Sequence, residues 1–430
     1  MPRSILFFAF ISVMFLSCIE QPNSYTKLPP GEWRGILKLT DPDQVSLGTI
    51  NDGQEKILDY FELPFNMDVV YTDNGMEVFL INGEERIPIE AVHYGRDPAT
   101  AKDTLKMEMT AFDTSMDGFY EDNYIEGYWV VNYKENYTIP FLAQYGLNHR
   151  FINKTVPDTK DFGGKWKVVF EYDNEDAYPA IAELEQNGNK LDGTFRTETG
   201  DYRFLSGNAS GDKMRLSVFD GAHAFLFSGS MDSDTIYGEF RSGKHYKSKW
   251  YAVKDNNYKL TNPYQMTKAT MDEPIAFSFP DTKGNMVSLS KANEGGKVKL
   301  INIMGSWCPN CKDEIKYLKE IKKQYGENLE LYTIAYERYR DASKANALLD
   351  KYKATMGMDW PLLLGGYADK KQTTESLPFI DKIYSYPTLF VVDQKNNIRH
   401  IHTGFNGPAT SEYQEYKVEM AKKLETILSE

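Results

Sequence analysis

The chain reads as a multidomain protein in which two N-terminal all-β regions, each a barrel or a sandwich, precede a C-terminal α/β domain. Three observations carry this reading. Short runs of alternating apolar and polar residues, separated by turns bearing Gly, Asn and Asp, fill residues 31–254, as in antiparallel strands with one face buried. From about residue 273 strands alternate with helices, which builds a sheet with helices packed against it. Inside that last stretch an apolar run, Val298–Met304, leads into Trp307-Cys308-Pro309-Asn310-Cys311-Lys312.

The length of 430 residues admits several domains, each able to bury a core. Asp and Glu number 62 against 49 Lys and Arg, a formal net charge of −13. A nucleic-acid binder needs a basic face to neutralise phosphates, so that partner class is excluded. Aromatic residues make up 14% of the chain, which suits β-rich structure.

The N-terminus has its own pattern. Arg3 precedes the apolar stretch Ile5 to Leu16, and Ser17 and Cys18 follow. The stretch is too short to span a bilayer but suits the core of a signal peptide. Residues 1–17 are therefore expected to be a signal peptide and 18–30 a polar tether. The Ser17-Cys18 junction resembles the lipobox of bacterial lipoproteins, with Phe15 where that family prefers Leu. The resemblance implies a lipid on Cys18, attachment to a membrane, and a place in the cell envelope on the periplasmic side of a bacterial membrane. With Cys18 so used, Cys308 and Cys311 are the remaining two of three cysteines. An exported chain with no disulfide framework is expected to cycle such a pair rather than use it as a staple.

Residues 31–153 form the first β-rich region. It opens Gly31-Glu32-Trp33, and Asp73-Asn74-Gly75 and Asn82-Gly83 mark its turns. Residues 160–254 form the second, opening Gly164-Lys165-Trp166. There Gly188, Gly193, Gly207, Gly211, Gly221, Gly229 and Gly238 are expected in turns. The shared Gly-x-Trp start suggests a weak internal repeat. It also resembles the first strand of lipocalin-like barrels, where the tryptophan closes the barrel floor. Asp212, Asp220, Asp232 and Asp234 are expected on solvated turns. Tyr94, Tyr120, Tyr124 and Tyr128 are expected to pack a core, with a cleft lining as the alternative.

Residues 255–272 are polar and are expected to be a linker. In residues 273–430, a hairpin over Ala276–Phe279 and Met286–Leu289 precedes the buried strand Val298–Met304. A helix over Cys308–Tyr325, a strand over Leu329–Tyr336 and a helix over Ser343–Tyr352 follow. Strands over Thr388–Val392 and Ile398–His402 and a closing helix over Ser411–Leu428 complete the domain.

A cysteine at a helix N-terminus meets unpaired N–H groups and the positive end of the helix dipole, which favour thiolate over thiol. Thiolate is the form that attacks disulfides. Pro309 suits the first helical turn, where its missing N–H costs nothing. A zinc site would need four ligands. No further cysteine is available, and His400 and His402 read as one face of a strand, so neither metal nor cofactor is expected. A peroxidase of the same scaffold would need Thr three residues before a cysteine and Pro four before that. Gly305 and Ile301 stand there instead.

Further residues extend the motif: Asn302 six before Cys308, Glu314 three after Cys311, and Tyr386-Pro387-Thr388 ahead of an apolar strand. With Trp307 and Lys312 they make residues 273–430 resemble the TlpA/ResA branch of thioredoxin-like disulfide reductases. The resemblance implies a thioredoxin fold in which Cys308 attacks a partner disulfide and Cys311 resolves the mixed disulfide, the two cysteines forming the redox disulfide. It implies that Pro387, in cis, holds open a loop for substrate backbone and denies its neighbours to metals, supported by Tyr386, Trp307 and Asn302. Glu314 is expected to accept a proton from Cys311, the alternative being a solvated residue in the charged run Lys312-Asp313-Glu314. The expected function is a membrane-tethered thiol–disulfide oxidoreductase, reducing disulfides in exported proteins and recharged by a membrane thiol–disulfide electron donor. An oxidase or isomerase, or a β-domain binding module with an accessory redox domain, are the alternatives.

Overall fold

A computed structural model describes residues 27–39, 62–290 and 296–430. The signal segment, Cys18 and most of the tether lie outside these residues. No described helix is long and apolar enough to cross a membrane.

The first β-rich region is a nine-stranded antiparallel meander from Gly31–Lys38 to Thr138–Tyr145. Its first strand pairs with its second and its ninth, which rolls the sheet, while the fourth and fifth strands form the two edges. It is a half-open barrel. The second region closes. Its first strand, Gly164–Phe170, pairs with Tyr178–Asn187 and with Tyr246–Lys254, and Tyr178–Asn187 pairs on with Lys190–Thr197. Of the nine strands, only the two-residue Gly200–Asp201 lies outside the ring, so eight strands close an up-and-down barrel.

The two Gly-x-Trp starts are structurally equivalent. Gly31 and Gly164 have φ of 121° and 105°. Trp33 donates its indole N–H to the Pro29 carbonyl at 3.3 Å, and Trp166 donates to Phe162 at 2.8 Å, four residues back in both cases. Each tryptophan thus sits in its barrel's apolar core with its polar edge satisfied. The interior of the second barrel is packed with rings: Phe195 stacks on Phe227 at 4.4 Å, and Phe227 on Phe240 at 4.4 Å.

Several glycines are not where turns were expected. Gly193, Gly207, Gly229 and Gly238 lie inside strands. A Cβ at Gly207 would stand 1.9 Å from the Arg215 carbonyl oxygen, and one at Gly238 would meet Ser228 and the Trp250 indole. Close backbone approach and ring packing require glycine there.

The half-open barrel is completed by its neighbour. Phe219, Ala222, Ala224 and Leu226 of the second barrel belong to the first barrel's core. Phe219 lies 5.0 Å from Phe65 and 5.2 Å from Trp129. Ser217 donates to the Pro64 carbonyl at 2.6 Å, and Asn82 donates to Phe219 at 2.9 Å. Asp220 is therefore no solvated turn: it is fully buried and accepts the Ala222 and His223 N–H groups. Tyr94 and Tyr120 pack edge-on at 5.4 Å. Tyr124 and Tyr128, in contrast, are exposed and pack no core.

The C-terminal sheet runs Leu362–Tyr367, Leu329–Glu337, Val298–Met304, Thr388–Val392 and Ile398–Thr403; the first three are parallel and the last two antiparallel. Helices α1 (Pro309–Tyr325), α2 (Ala342–Met356) and α4 (Glu412–Leu428) supply Ile315, Leu318, Leu349, Tyr352, Met420 and Leu424 to one core. On the other face, Phe277 and Leu289 of the expected hairpin and residues after α3 (Lys370–Ser376) form a second. All seven residues of Val298–Met304 are buried because both sheet faces are covered. The strand Leu362–Tyr367 and α3 were not anticipated. The expected linker is half docked: Tyr264 packs on His402 at 4.8 Å, and Thr267 donates its N–H to Thr403 at 3.2 Å.

Candidate active site

The central strand ends at Met304, and Gly305-Ser306-Trp307 turn the chain into α1. Cys308 is the N-cap, Pro309 opens the first turn, and the Cys308 Sγ accepts the Cys311 N–H at 3.3 Å. Gly305 is required by its neighbour, since a Cβ there would stand 2.3 Å from the Trp307 indole nitrogen. Trp307 donates to the Tyr336 carbonyl at 3.0 Å and packs edge-on against Tyr386 at 5.6 Å. Both thiols are free. Cys308 keeps 7% of its surface and Cys311 none. Burial, and then contact with Cys308, push the Cys311 thiol well up, so this sulfur stays protonated in the resting dithiol.

The Tyr386–Pro387 peptide is cis. Its loop faces the dithiol, with the Cys308 Sγ 3.6 Å from the Tyr386 carbonyl oxygen. Asn302 and Glu314 meet beneath the cysteines, the Asn302 amide donating to the Glu314 carboxyl. Glu314 is fully buried, so the solvated-face alternative fails. Burial first, and then Cys308, raise its carboxyl well above the ordinary value. Its Oε1 and the Asn302 Oδ1 are buried with no protein partner.

In the rest of the charged run Asp313 is also buried and Lys312 is half-buried. Asp313 pairs with Arg203 of the second barrel, and Arg203 also pairs with Glu85 of the first. Burial alone would raise Asp313, but Arg203 and Lys316 hold it below its usual value. For Glu85 the balance reverses: burial outweighs the same guanidinium and raises it. The two directions are compatible, because Lys316 lies 2.9 Å from Asp313 as a second cation. Lys312 points to the first barrel, 3.6 Å from Glu90 and over the Phe112 ring at 4.5 Å. The first turns of α1 are thus a three-domain junction.

The second barrel reaches the dithiol directly. The Ser385 hydroxyl donates to the Thr199 carbonyl at 2.9 Å, and Gly200 bridges Phe405. Asn310, between the two cysteines, donates to the Asp201 carbonyl at 3.3 Å, and Gly407 donates its N–H to the Asp201 carboxylate at 2.6 Å. Thr199–Asp201 therefore covers one side of Cys308.

Two groups went unrecognised in the sequence. Glu337, fully buried at the end of its strand, accepts from the Ser306 N–H at 2.9 Å and hydroxyl at 2.7 Å. Burial, against those two bonds, raises it to about 7. Arg338 lies over the Trp307 ring at 4.0 Å. Both lie at or just past the end of the strand expected over Leu329–Tyr336, and only that strand's pairing with the dithiol strand would have marked them. His400 and His402 share a strand as expected, but His402 is buried against the Gly404 carbonyl at 3.0 Å and pushed down to about 4 by burial. Among the described residues no group of three or more His, Cys, Asp or Glu could hold a metal.

A mixed five-stranded sheet that presents a dithiol at a helix N-terminus beside a cis-proline loop defines a thiol–disulfide oxidoreductase of the thioredoxin class. A family model described as Redoxin matches residues 268–417. The thioredoxin-like protein YneN of Bacillus subtilis is 27% identical over 128 residues, which cover 30% of this chain and 68% of that protein. The thiol:disulfide interchange protein DsbE of Allochromatium vinosum is 27% identical over 145 residues, 33% of this chain and 72% of that one. A solved thiol–disulfide oxidoreductase from Bacteroides fragilis shares 18% identity over 35% of this chain and 98% of its own, with a TM-score of 0.26. Over about a third of the chain, the C-terminal domain is thus similar to thioredoxin-like and DsbE-type thiol–disulfide oxidoreductases.

Proposed function

We propose that the protein reduces disulfides in exported proteins, tethered to a membrane of the bacterial envelope by a lipid on Cys18. The Cys308 thiolate attacks one sulfur of the target disulfide, making a Cys308–substrate bond and releasing the other sulfur as thiolate. Cys311 gives up its proton and attacks the Cys308 sulfur. The Cys308–Cys311 disulfide forms, and the second substrate thiol leaves. Two electrons pass to the substrate, and its two sulfurs end as thiols. A membrane thiol–disulfide donor then returns two electrons to the cysteine pair.

The observation that carries this reading is the unequal pair: Cys308, which keeps 7% of its surface at the N-terminus of α1, and a fully buried Cys311. Glu314 is the proton acceptor for Cys311, held by Asn302. A carboxyl raised by burial is a base of useful strength for a thiol. Pro387 and Tyr386 shape the face that meets substrate, and Trp307 supports the dithiol. The direction of electron flow follows the reduction potential. A value near −270 mV, typical of thioredoxin, suits a reductase, whereas roughly −120 mV suits an oxidant.

The test is capture with Cys311→Ala in the native envelope. This variant attacks but cannot resolve, so substrates stay attached to Cys308 and mass spectrometry identifies them. Mixed disulfides with exported proteins are expected. If none forms while Cys308 remains alkylatable, protein disulfide exchange is the wrong reading.

A further inference from the structure

Next to the dithiol, at Trp307, the three domains enclose a cleft of about 370 Å³. Its walls are aromatic, with Trp129, Tyr133 and Tyr137 from the first barrel facing Trp307 and Tyr367 of the redox domain. Trp307 is both a wall of the cleft and the residue before Cys308. Of the side chains lining it, Lys134 and Arg338 carry full charge, and both are cations.

These cations rest on rings rather than on carboxylates. Arg338 lies over Trp307 at 4.0 Å and Lys134 over Tyr137 at 4.4 Å. Arg340 covers Tyr367 at 3.9 Å on the same rim. Among the described residues, neither Lys134 nor Arg338 forms an ion pair. Nearby carboxylates bond to other groups: Asp220 to His223 and Arg203, Asp113 to Tyr339 and Asn132, and Glu337, which also feels the Arg338 charge, to Ser306. Partial burial, and then Arg338, hold the Lys134 ammonium below its ordinary value. An arriving anion would relieve that repulsion and gain two charge-assisted contacts.

We propose that this cleft receives an acidic polypeptide segment flanking the target disulfide, its carboxylate set between Lys134 and Arg338. The inference rests on the disulfide-exchange reading and adds to it a substrate class. Aromatic walls suit a peptide, which can pack side chains against them, better than a small free anion. Elsewhere around the dithiol, Thr199 and Asp201 of the second barrel already engage Ser385 and Asn310. The cleft thus selects which protein disulfides reach the sulfur.

The test uses the full-length reduced protein and three cyclic peptide disulfides that differ only in the residues beside one cysteine: Glu, Gln or Lys. Oxidation of the dithiol is followed by tryptophan fluorescence at low salt. The Glu peptide is expected to react about tenfold faster than the Gln peptide, and the Lys peptide more slowly still. The double variant Lys134→Gln/Arg338→Gln is expected to bring the Glu-to-Gln ratio to about one, while Lys323→Gln, on the exposed side of α1, keeps it. Using a ratio cancels any general loss of activity in the variant. Equal rates for Glu and Gln peptides, or a preference that survives the double variant, would overturn the proposal. So would a high ratio for free glutarate as inhibitor with no peptide preference, which would make the cleft a small-anion site. Hydroxyethyl disulfide, small and neutral, separates the two levels. If it too fails to oxidise the dithiol, the exchange reading falls and this one with it.

Discussion

Arg203 of the second barrel and Asp313 of α1 form a buried ion pair five residues along from Cys308. Glu85 and Asp220 share the same guanidinium, so one cation holds three carboxylates from three domains. Despite its burial, these neighbours raise the Arg203 guanidinium well above its ordinary value. The pair fixes the helix that carries the dithiol to both barrels.

Removing that cation should be costly. Arg203→Ala leaves Asp313, Glu85 and Asp220 buried without it, and the expected loss is about 3–5 kcal/mol. Chemical denaturation followed by tryptophan fluorescence measures it. Arg203→Lys, which keeps charge but not the fork, should recover part of the loss. A change under 1 kcal/mol in the alanine variant would mean that water reaches the cluster.

The cover over Cys308 should be removable. Gly404 has φ of 76°, and a Cβ there would come within 2.7 Å of the Thr199 carbonyl oxygen. Gly404→Ala is therefore expected to push Thr199–Asp201 off the redox domain. Alkylation of Cys308 by iodoacetamide should accelerate severalfold, with Cys311 still unreactive. An unchanged alkylation rate would show that the cover does not limit access.

Glu314→Gln removes the proton acceptor expected for Cys311 while keeping the side-chain shape. Resolution of a preformed Cys308 mixed disulfide should slow about a hundredfold near neutral pH. The first attack by Cys308, read in a Cys311→Ala background, should change far less. Stopped-flow release of a fluorescent leaving thiol separates the two steps. Equal slowing of both would assign Glu314 to packing.

Glu337 gives a pH dependence of defined sign. Its folded value of about 7 lies above the ordinary 4.5, so the folded state binds its proton more tightly than the unfolded one. The stabilisation is complete below pH 4.5 and is lost as pH rises through 7. Glu337→Gln should flatten the stability curve between these limits by at most about 3 kcal/mol, the equivalent of 2.5 pH units. Parallel curves for the two proteins would show that Glu337 does not titrate there.

Much of the redox domain was legible because its signals are local. An apolar strand, a Cys-x-x-Cys with proline in the first helical turn, and a proline ahead of another apolar strand each declare themselves within a few residues. The barrels were legible as β structure through alternation and turns, and their paired tryptophans through one short repeat. Leu362–Tyr367 was missed because Gly365 and Gly366 break its pattern, and α3 because seven residues give too little periodicity. The larger gap lay at the junction. For Lys312-Asp313-Glu314 a solvated run stood as the alternative to a role for Glu314, because charge usually seeks water. Here Asp313 meets an arginine 110 positions away, and no local pattern encodes that distance. Asp220 misled for a related reason: its hydrogen-bond donors, Ala222 and His223, lie in its own turn, but that turn is buried against the first barrel and meets Arg203 from elsewhere in the chain.

The ring stack inside the second barrel has one more consequence. With Phe170, Phe195, Phe227, Phe240 and Trp250 packed wall to wall, this barrel is a solid drum rather than a cup. Its interior is occupied by its own rings. It stands beside the site as a stiff doorpost, with Thr199–Asp201 resting on the redox domain as the latch. Changes inside the drum should alter how firmly the doorway is framed, and changes at its rim should alter what passes through.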